Sequence, residues 1–111
     1  MYRLTQADFA AGRLPAPFRH GMGALDGLTF AGDKRLDTEV KSTNQIVVTP
    51  PTGSNSYALT FDKAIQLSGP ADIAVRKMAD GSFILVIPEL SATAPNKKAD
   101  RVDVVRLPAD F

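Results

Sequence analysis

Residues 73–90, with the sequence IAVRKMADGSFILVIPEL, form the most apolar stretch of the chain. Asp80-Gly81 lies in its middle, between two segments rich in isoleucine, valine, phenylalanine and leucine, and this pattern is typical of a β-hairpin. The second segment is apolar at every position from 83 to 87, which predicts a central strand that is covered on both faces. Pro88 has no N–H to donate, and regular strand pairing is expected to end there.

Two hairpin registers are compatible with this turn. A two-residue loop of Asp80 and Gly81 would place Met78 opposite Phe83. A three-residue loop that also contains Ala79, with Gly81 in the left-handed region and a G1 bulge, shifts the pairing by one residue. The second register is favoured because it collects apolar side chains on one face of the hairpin. Its pairs are Ile73 with Ile87, Val75 with Leu85, and Lys77 with Phe83.

The composition is that of a single globular domain with little net charge. The chain has 111 residues, of which 44% are hydrophobic and 23% charged, and its formal net charge is +1. A net charge this small gives no long-range attraction to nucleic acid or to an anionic membrane. The absence of cysteine excludes disulfides, thiolate nucleophiles and cysteine metal sites. No apolar stretch has the length of a transmembrane helix, and the N-terminus lacks the apolar core of a secretory signal, which predicts a cytoplasmic or virion location.

Most of the chain is predicted to be β structure. Short apolar or alternating segments are separated by turn residues at short intervals, which favours an all-β fold, mainly antiparallel, as a small barrel or a sandwich. Residues 36–41 alternate strictly, which predicts one buried face and one wet face that carries Asp37 and Glu39. The segment at 65–67 is either a separate strand or the end of a longer bent strand. Outside the hairpin, the predicted strands are residues 28–30, 36–41, 45–49, 57–61, 65–67 and 101–107.

A short helix and an irregular segment precede these strands. Residues 5–8, TQAD, fit a helix N-cap followed three residues later by an acid, and Gly12 is a plausible end of the helix. Leu4 and Phe9 are expected to be its buried contacts. The predicted organisation is therefore a short helix plus an extended Gly/Pro-rich arm over residues 1–27, and a single β domain over residues 28–111.

The Gly/Pro-rich part of this arm, residues 12–27, carries large apolar side chains that a free linker would not need. One interpretation is a loop that folds back on its own core. Another is an arm that places these side chains on a neighbouring subunit, and a third is a disordered segment. The candidate subunit-contact residues are Leu14, Phe18, Met22 and Leu25.

No sequence pattern indicates catalysis, a metal site or a cofactor. The only histidine, His20, lies in the arm, and acid–base chemistry centred on histidine would depend on it alone. Residues 21–27 have glycines in a GxGxxxG spacing, but no predicted strand leads into them, as a phosphate-binding loop requires. Asp37 and Glu39 are interpreted as the polar half of an alternating strand. The sequence therefore predicts no catalytic residues, no metal ligands and no cofactor.

A β domain with an apolar arm and no evident active site is typical of proteins that work by contact. The sequence predicts a non-enzymatic structural or assembly protein that forms a homo-oligomer, for example a small viral coat, decoration or tail component. One alternative is a single-stranded nucleic-acid-binding module resembling an OB fold, and another is a small inhibitor or adaptor of a protein partner. No membrane partner is expected. The candidate nucleic-acid contacts are Lys34, Arg35, Lys41, Arg76, Lys97, Lys98 and Arg101.

Overall fold

The computed structural model describes residues 4–17, 23–40, 43–90 and 101–111. Within these ranges the chain forms one short helix and two antiparallel sheets. The elements are α1 (Gln6–Ala10), β1 (Ala24–Ala31), β2 (Lys34–Val40), β3 (Gln45–Thr49), β4 (Tyr57–Ala58), β5 (Ala74–Lys77), β6 (Phe83–Glu89) and β7 (Arg101–Leu107). The first sheet has the strand order β1-β2-β3-β4 and the second has the order β5-β6-β7. The predicted all-β class is confirmed.

The β5–β6 hairpin forms in the favoured register. Two of the expected pairs are present, Val75 with Leu85 and Lys77 with Phe83. The Gly81 N–H donates to the Met78 carbonyl (3.0 Å), and the Met78 N–H donates to the Ser82 carbonyl (2.8 Å). Gly81 has a φ of +87°, in the region that glycine adopts without a steric penalty. The three-residue loop with its G1 bulge is confirmed.

The two sheets contribute to one hydrophobic cluster. Its buried members are Ala31, Leu36, Ile46 and Val48 from the first sheet, Phe83, Leu85, Ile87 and Leu107 from the second sheet, and Ile73 just before β5. Val75 and Phe111 pack against this cluster while remaining partly exposed. β6 is the central strand of its sheet, as predicted. Its outward-facing residues Ile84 and Val86 are only half-buried, however, so the expectation that both faces are covered is wrong.

β6 does not end before Pro88. It continues to Glu89, and Pro88 lies opposite Val102 of β7. The Pro88 carbonyl accepts a hydrogen bond from the Ala71 N–H (2.9 Å). Since N–H and C=O of one residue point the same way in an antiparallel strand, the missing Pro88 donor faces residues 71–73, where the ladder with β6 is interrupted. The proline therefore costs the sheet no hydrogen bond.

The strands predicted at 57–61 and 65–67 are largely absent. β4 contains only Tyr57 and Ala58, and residues 65–67 form no strand. The next residues are fixed by a buried carboxylate instead, because Glu89 Oε2 accepts hydrogen bonds from the N–H groups of Ser68 (2.7 Å) and Gly69 (2.8 Å). A Cβ at Gly69 would clash with the carbonyl oxygen of Leu90, a clash that only glycine avoids.

Candidate subunit-contact surfaces

The N-terminal helix α1 is held by local hydrogen bonds. The Asp8 N–H donates to Thr5 Oγ1 (3.1 Å) and the Thr5 N–H donates to Asp8 Oδ2 (3.1 Å), which completes the predicted capping box. The Arg13 guanidinium lies 3.5 Å from the other oxygen of Asp8. The hydrogen bonds from the Thr5 hydroxyl and N–H hold the pKa of Asp8 below its ordinary value. The cap therefore forms as predicted, but it ties α1 only to its own neighbours.

The apolar side chains of this segment point to solvent. Leu4 is 52% exposed, Phe9 is 80% exposed, and no residue of α1 is buried. The expectation that Leu4 and Phe9 are buried contacts is therefore wrong. Leu14, the next large apolar residue, is 67% exposed. These three residues define what we call the arm surface.

The four candidate subunit-contact residues fall in different places. Leu14 belongs to the arm surface. Leu25 is part of β1, opposite Glu39 of β2, and is 42% exposed. β1 thus begins at Ala24, within the segment predicted as an arm. Phe18 and Met22 lie outside the described residues, as does His20.

The basic residues proposed as nucleic-acid contacts do not form one stripe among the described residues. Lys34 is half-buried, contacts the main-chain oxygen of Phe111 and lies 4.5 Å from the centroid of that ring. Arg76 is exposed on the outer face of the second sheet, whereas Arg101 contacts Asp103 and the Gln66 carbonyl. The remaining lysines, Lys41, Lys97 and Lys98, lie outside the described residues.

Arg35 is the clearest departure from an exposed basic patch. It is 8% exposed, and its Nη2 and Nε lie 2.6 Å and 2.9 Å from Asp37 Oδ2. Asp37 is fully buried and Glu39 is 4% exposed. The prediction of a wet face on β2 is therefore wrong. Glu39 accepts hydrogen bonds from the Gly23 N–H (3.3 Å) and from Gln45 Nε2 (2.7 Å), which explains how this face carries charge while it is buried.

A second exposed apolar surface lies on β7. Val102 and Val104 are 59% and 62% exposed and point to the outer face of the second sheet, opposite Pro88 and Val86 of β6. This surface was not predicted from the sequence. The available signal was the strand's own alternation, which separates Val102 and Val104 from the inward-facing Asp103.

Comparison with known proteins identifies no relative: no family model matches the chain, and no curated protein and no solved structure matches it.

The one helix in the part of the chain that the structure describes is too short to cross a membrane. Within the same ranges, no three His, Asp or Glu side chains come together as metal ligands. Exposed apolar side chains remain on the arm surface, on β7, and at Leu28 and Phe30 of β1.

Proposed function

We propose that this protein is a non-enzymatic structural or assembly component that self-associates through its N-terminal arm, the part of residues 1–27 that precedes β1. The observation that supports this most is the exposure of Leu4, Phe9 and Leu14 around a helix with no buried residue. A five-residue helix is marginal in water without a surface to pack on. Burying each large side chain on a neighbouring copy would contribute about 1.5–3 kcal/mol before the cost of ordering the arm.

The dimensions of the chain agree with an arm that projects from the β domain. The Cα radius of gyration is 15.6 Å and the longest extent is 50 Å. A compact chain of this length has a radius of gyration of about 13 Å. The shared hydrophobic cluster and the separate strand orders favour packing of the sheets as a sandwich, with the arm outside it. A viral coat, decoration or tail component is one setting for such a subunit, in the cytoplasm or in a virion.

Fewer observations support the two alternatives, single-stranded nucleic-acid binding and an inhibitor or adaptor role. Single-strand binding combines a basic groove with aromatic platforms. Here Arg35 is buried against Asp37, and Phe61 packs against the hydrophobic cluster rather than standing free. An inhibitor or adaptor that grips one protein partner would use the same apolar surfaces, and the oligomeric state separates it from a self-assembling subunit.

The test is the solution mass of matched double variants of the full chain, measured by light scattering at two concentrations. Phe9→Ser with Leu14→Ser removes most of the arm surface. Phe30→Ser with Leu28→Ser removes the same residue types from β1, where both are more than half exposed. We expect wild type and the β1 variant to form the same oligomer, and the arm variant to lose mass. A monomeric wild type, or an arm variant with the wild-type mass, would contradict the proposal.

A further inference from the structure

The strand β7 forms an open edge of the second sheet. It pairs with β6 on one side, and on its other side no strand of the described chain pairs with it. It is seven residues long, contains no proline and has no register shift in its pairing with β6. An edge of this kind presents a row of unpaired N–H and C=O groups, which is a template for pairing with another strand.

The hydrogen bonds of the hairpin show which residues of β7 face outward. The carbonyls of Ser82 and Pro88 both accept hydrogen bonds from the β5 side of β6. Backbone direction alternates along a strand, so the odd-numbered residues of β6 bond to β7. Their partners in β7 are the odd-numbered residues 101–107. The N–H and C=O groups of Val102, Val104 and Arg106 therefore point away from the sheet, at its open edge.

We propose that two copies of this chain pair β7 with β7, antiparallel, about a two-fold axis at Val104. The two second sheets then become one continuous sheet. Val104 would exchange both of its backbone hydrogen bonds with Val104 of the second copy, and Val102 would do so with Arg106 of the second copy. This contact uses none of the arm, so it stands independently of the proposed arm-mediated assembly.

The charges on β7 select this register. A pairing centred on Asp103 would place two carboxylates directly opposite each other, which is unfavourable. A pairing centred on Val105 would leave Arg101 and Val102 without partners. The pairing centred on Val104 overlaps the whole strand, and every charged residue then lies opposite an apolar one: Arg101 opposite Leu107, Asp103 opposite Val105, and Arg106 opposite Val102.

The outer-face side chains also continue across the proposed axis. Ala74, Val86 and Val104 lie opposite one another across the three strands of the second sheet. Pairing at Val104 would join this apolar row to the same row of the second copy. The exposed area of Val104 would then be reduced by an identical side chain, which is the self-complementarity that a two-fold interface requires.

Cysteine cross-linking of the full chain tests the register directly, because the natural sequence contains no cysteine. In the proposed pairing, the Cα atoms of residue 104 in the two copies are about 5.5 Å apart, within the range of a disulfide. Residue 102 lies four positions from its own counterpart, about 13 Å along the strand. We expect Val104→Cys to form a covalent dimer under mild oxidation and Val102→Cys, its matched control, to remain uncross-linked.

A proline variant supplies a second, non-covalent test. Val104→Pro removes an N–H that faces the open edge, which an edge strand tolerates. We expect a folded protein, judged by its circular dichroism, whose β7-dependent dimer is lost in light scattering. A folded proline variant with unchanged mass would overturn the proposal, as would equal cross-linking of both cysteine variants or failure of Val104→Cys to cross-link. Combining Val104→Cys with Phe9→Ser and Leu14→Ser separates the two interfaces. Because the β7 contact uses none of the arm, we expect the cross-link to form in this variant as it does in Val104→Cys alone.

Discussion

Residues 35–37 of β2 and 101–103 of β7 have the same pattern, an arginine, an apolar residue and an aspartate, in opposite surroundings. The arginine and aspartate side chains are 9% and 0% exposed in β2 but 45% and 17% exposed in β7. The intervening Leu36 is fully buried, whereas Val102 is 59% exposed. β2 lies between two strands and β7 lies at a sheet edge. The same alternation of residues is therefore buried throughout in β2, whereas in β7 the arginine and the valine are exposed.

The difference shows that an alternating sequence pattern does not decide whether a strand face is covered. In β2 the apolar residue faces the hydrophobic cluster and the charged pair faces outward, yet the outward face is buried. In β7 the charged pair shares the inner side of the sheet with Val105, and the valine faces solvent. A period of two assigns residues to faces, but the covering of each face is decided by segments distant in sequence. Substitutions at matched positions of the two patterns measure that difference.

The largest effect is expected from removing the aspartates. Asp37→Ala leaves the Arg35 guanidinium buried without its carboxylate, and removing one partner of a buried pair costs about 3–5 kcal/mol of unfolding free energy. Asp103→Ala breaks a partly exposed pair, which costs less than about 1 kcal/mol. Urea denaturation of both variants checks this difference. Asp37 Oδ1 has no hydrogen-bond partner among the described residues, so the expected loss comes from removing the carboxylate beside the buried Arg35 charge rather than from an ideal pair.

Similar losses for the two aspartate variants would mean that β2 and β7 are equally covered in solution. Similar losses are expected if a second copy buries the β7 edge at the protein concentration used. The measurement is therefore made over a dilution series, in which the Asp103→Ala loss should fall as the copies separate while the Asp37→Ala loss stays constant.

The second comparison uses the residues between the charges. Leu36→Ala empties part of the hydrophobic cluster and is expected to cost about 2–5 kcal/mol. Val102→Ala changes an exposed side chain and is expected to alter stability by less than about 0.5 kcal/mol under monomeric conditions. Thermal or urea unfolding of both variants gives these values. A large loss for Val102→Ala at low concentration would show that the outer face of the second sheet is covered within one copy.

The parts of the fold that were predicted correctly depend on local chemistry. The residues Ala79-Asp80-Gly81 set the hairpin register through the turn they form, and Thr5 with Asp8 set the start of α1. The strands β3 and β7 have the predicted bounds because turn residues or polar loops flank them. In each case the deciding residues lie within a few positions of the feature.

The failures depend on tertiary contacts. The strand expected at 65–67 does not form, and the residues that follow it are fixed by the carboxylate of Glu89, about twenty positions away. The buried state of Asp37 likewise depends on what covers β2. For the candidate surfaces, the sequence indicated an apolar arm at Leu14, but the edge position of Val104 required the strand order. Sheet order is not a local property, and the second surface was missed for that reason.

The smallest effect concerns Asp80, an exposed aspartate in the turn between β5 and β6. Asp80 Oδ1 accepts hydrogen bonds from the Ser82 hydroxyl (2.6 Å) and N–H (3.1 Å), and Arg106 contacts the other oxygen. The Ser82 hydroxyl is the main cause that holds the pKa of Asp80 below its ordinary value, with Arg106 adding to it.

A lowered pKa in the folded state means that the unfolded chain binds this proton first as the pH falls. The stabilisation from the Asp80 carboxylate is therefore fully present at neutral pH, begins to be lost below about pH 4, and disappears as the pH falls through the lowered pKa of the folded state. Asp80→Asn lacks this titration, so the small difference in urea midpoint between wild type and the variant at pH 7 should decrease at pH 3. A difference that is equal at both pH values would show that Asp80 stabilises the turn by shape alone. It would also mean that the Arg106 charge does not contribute to the stability of the hairpin turn.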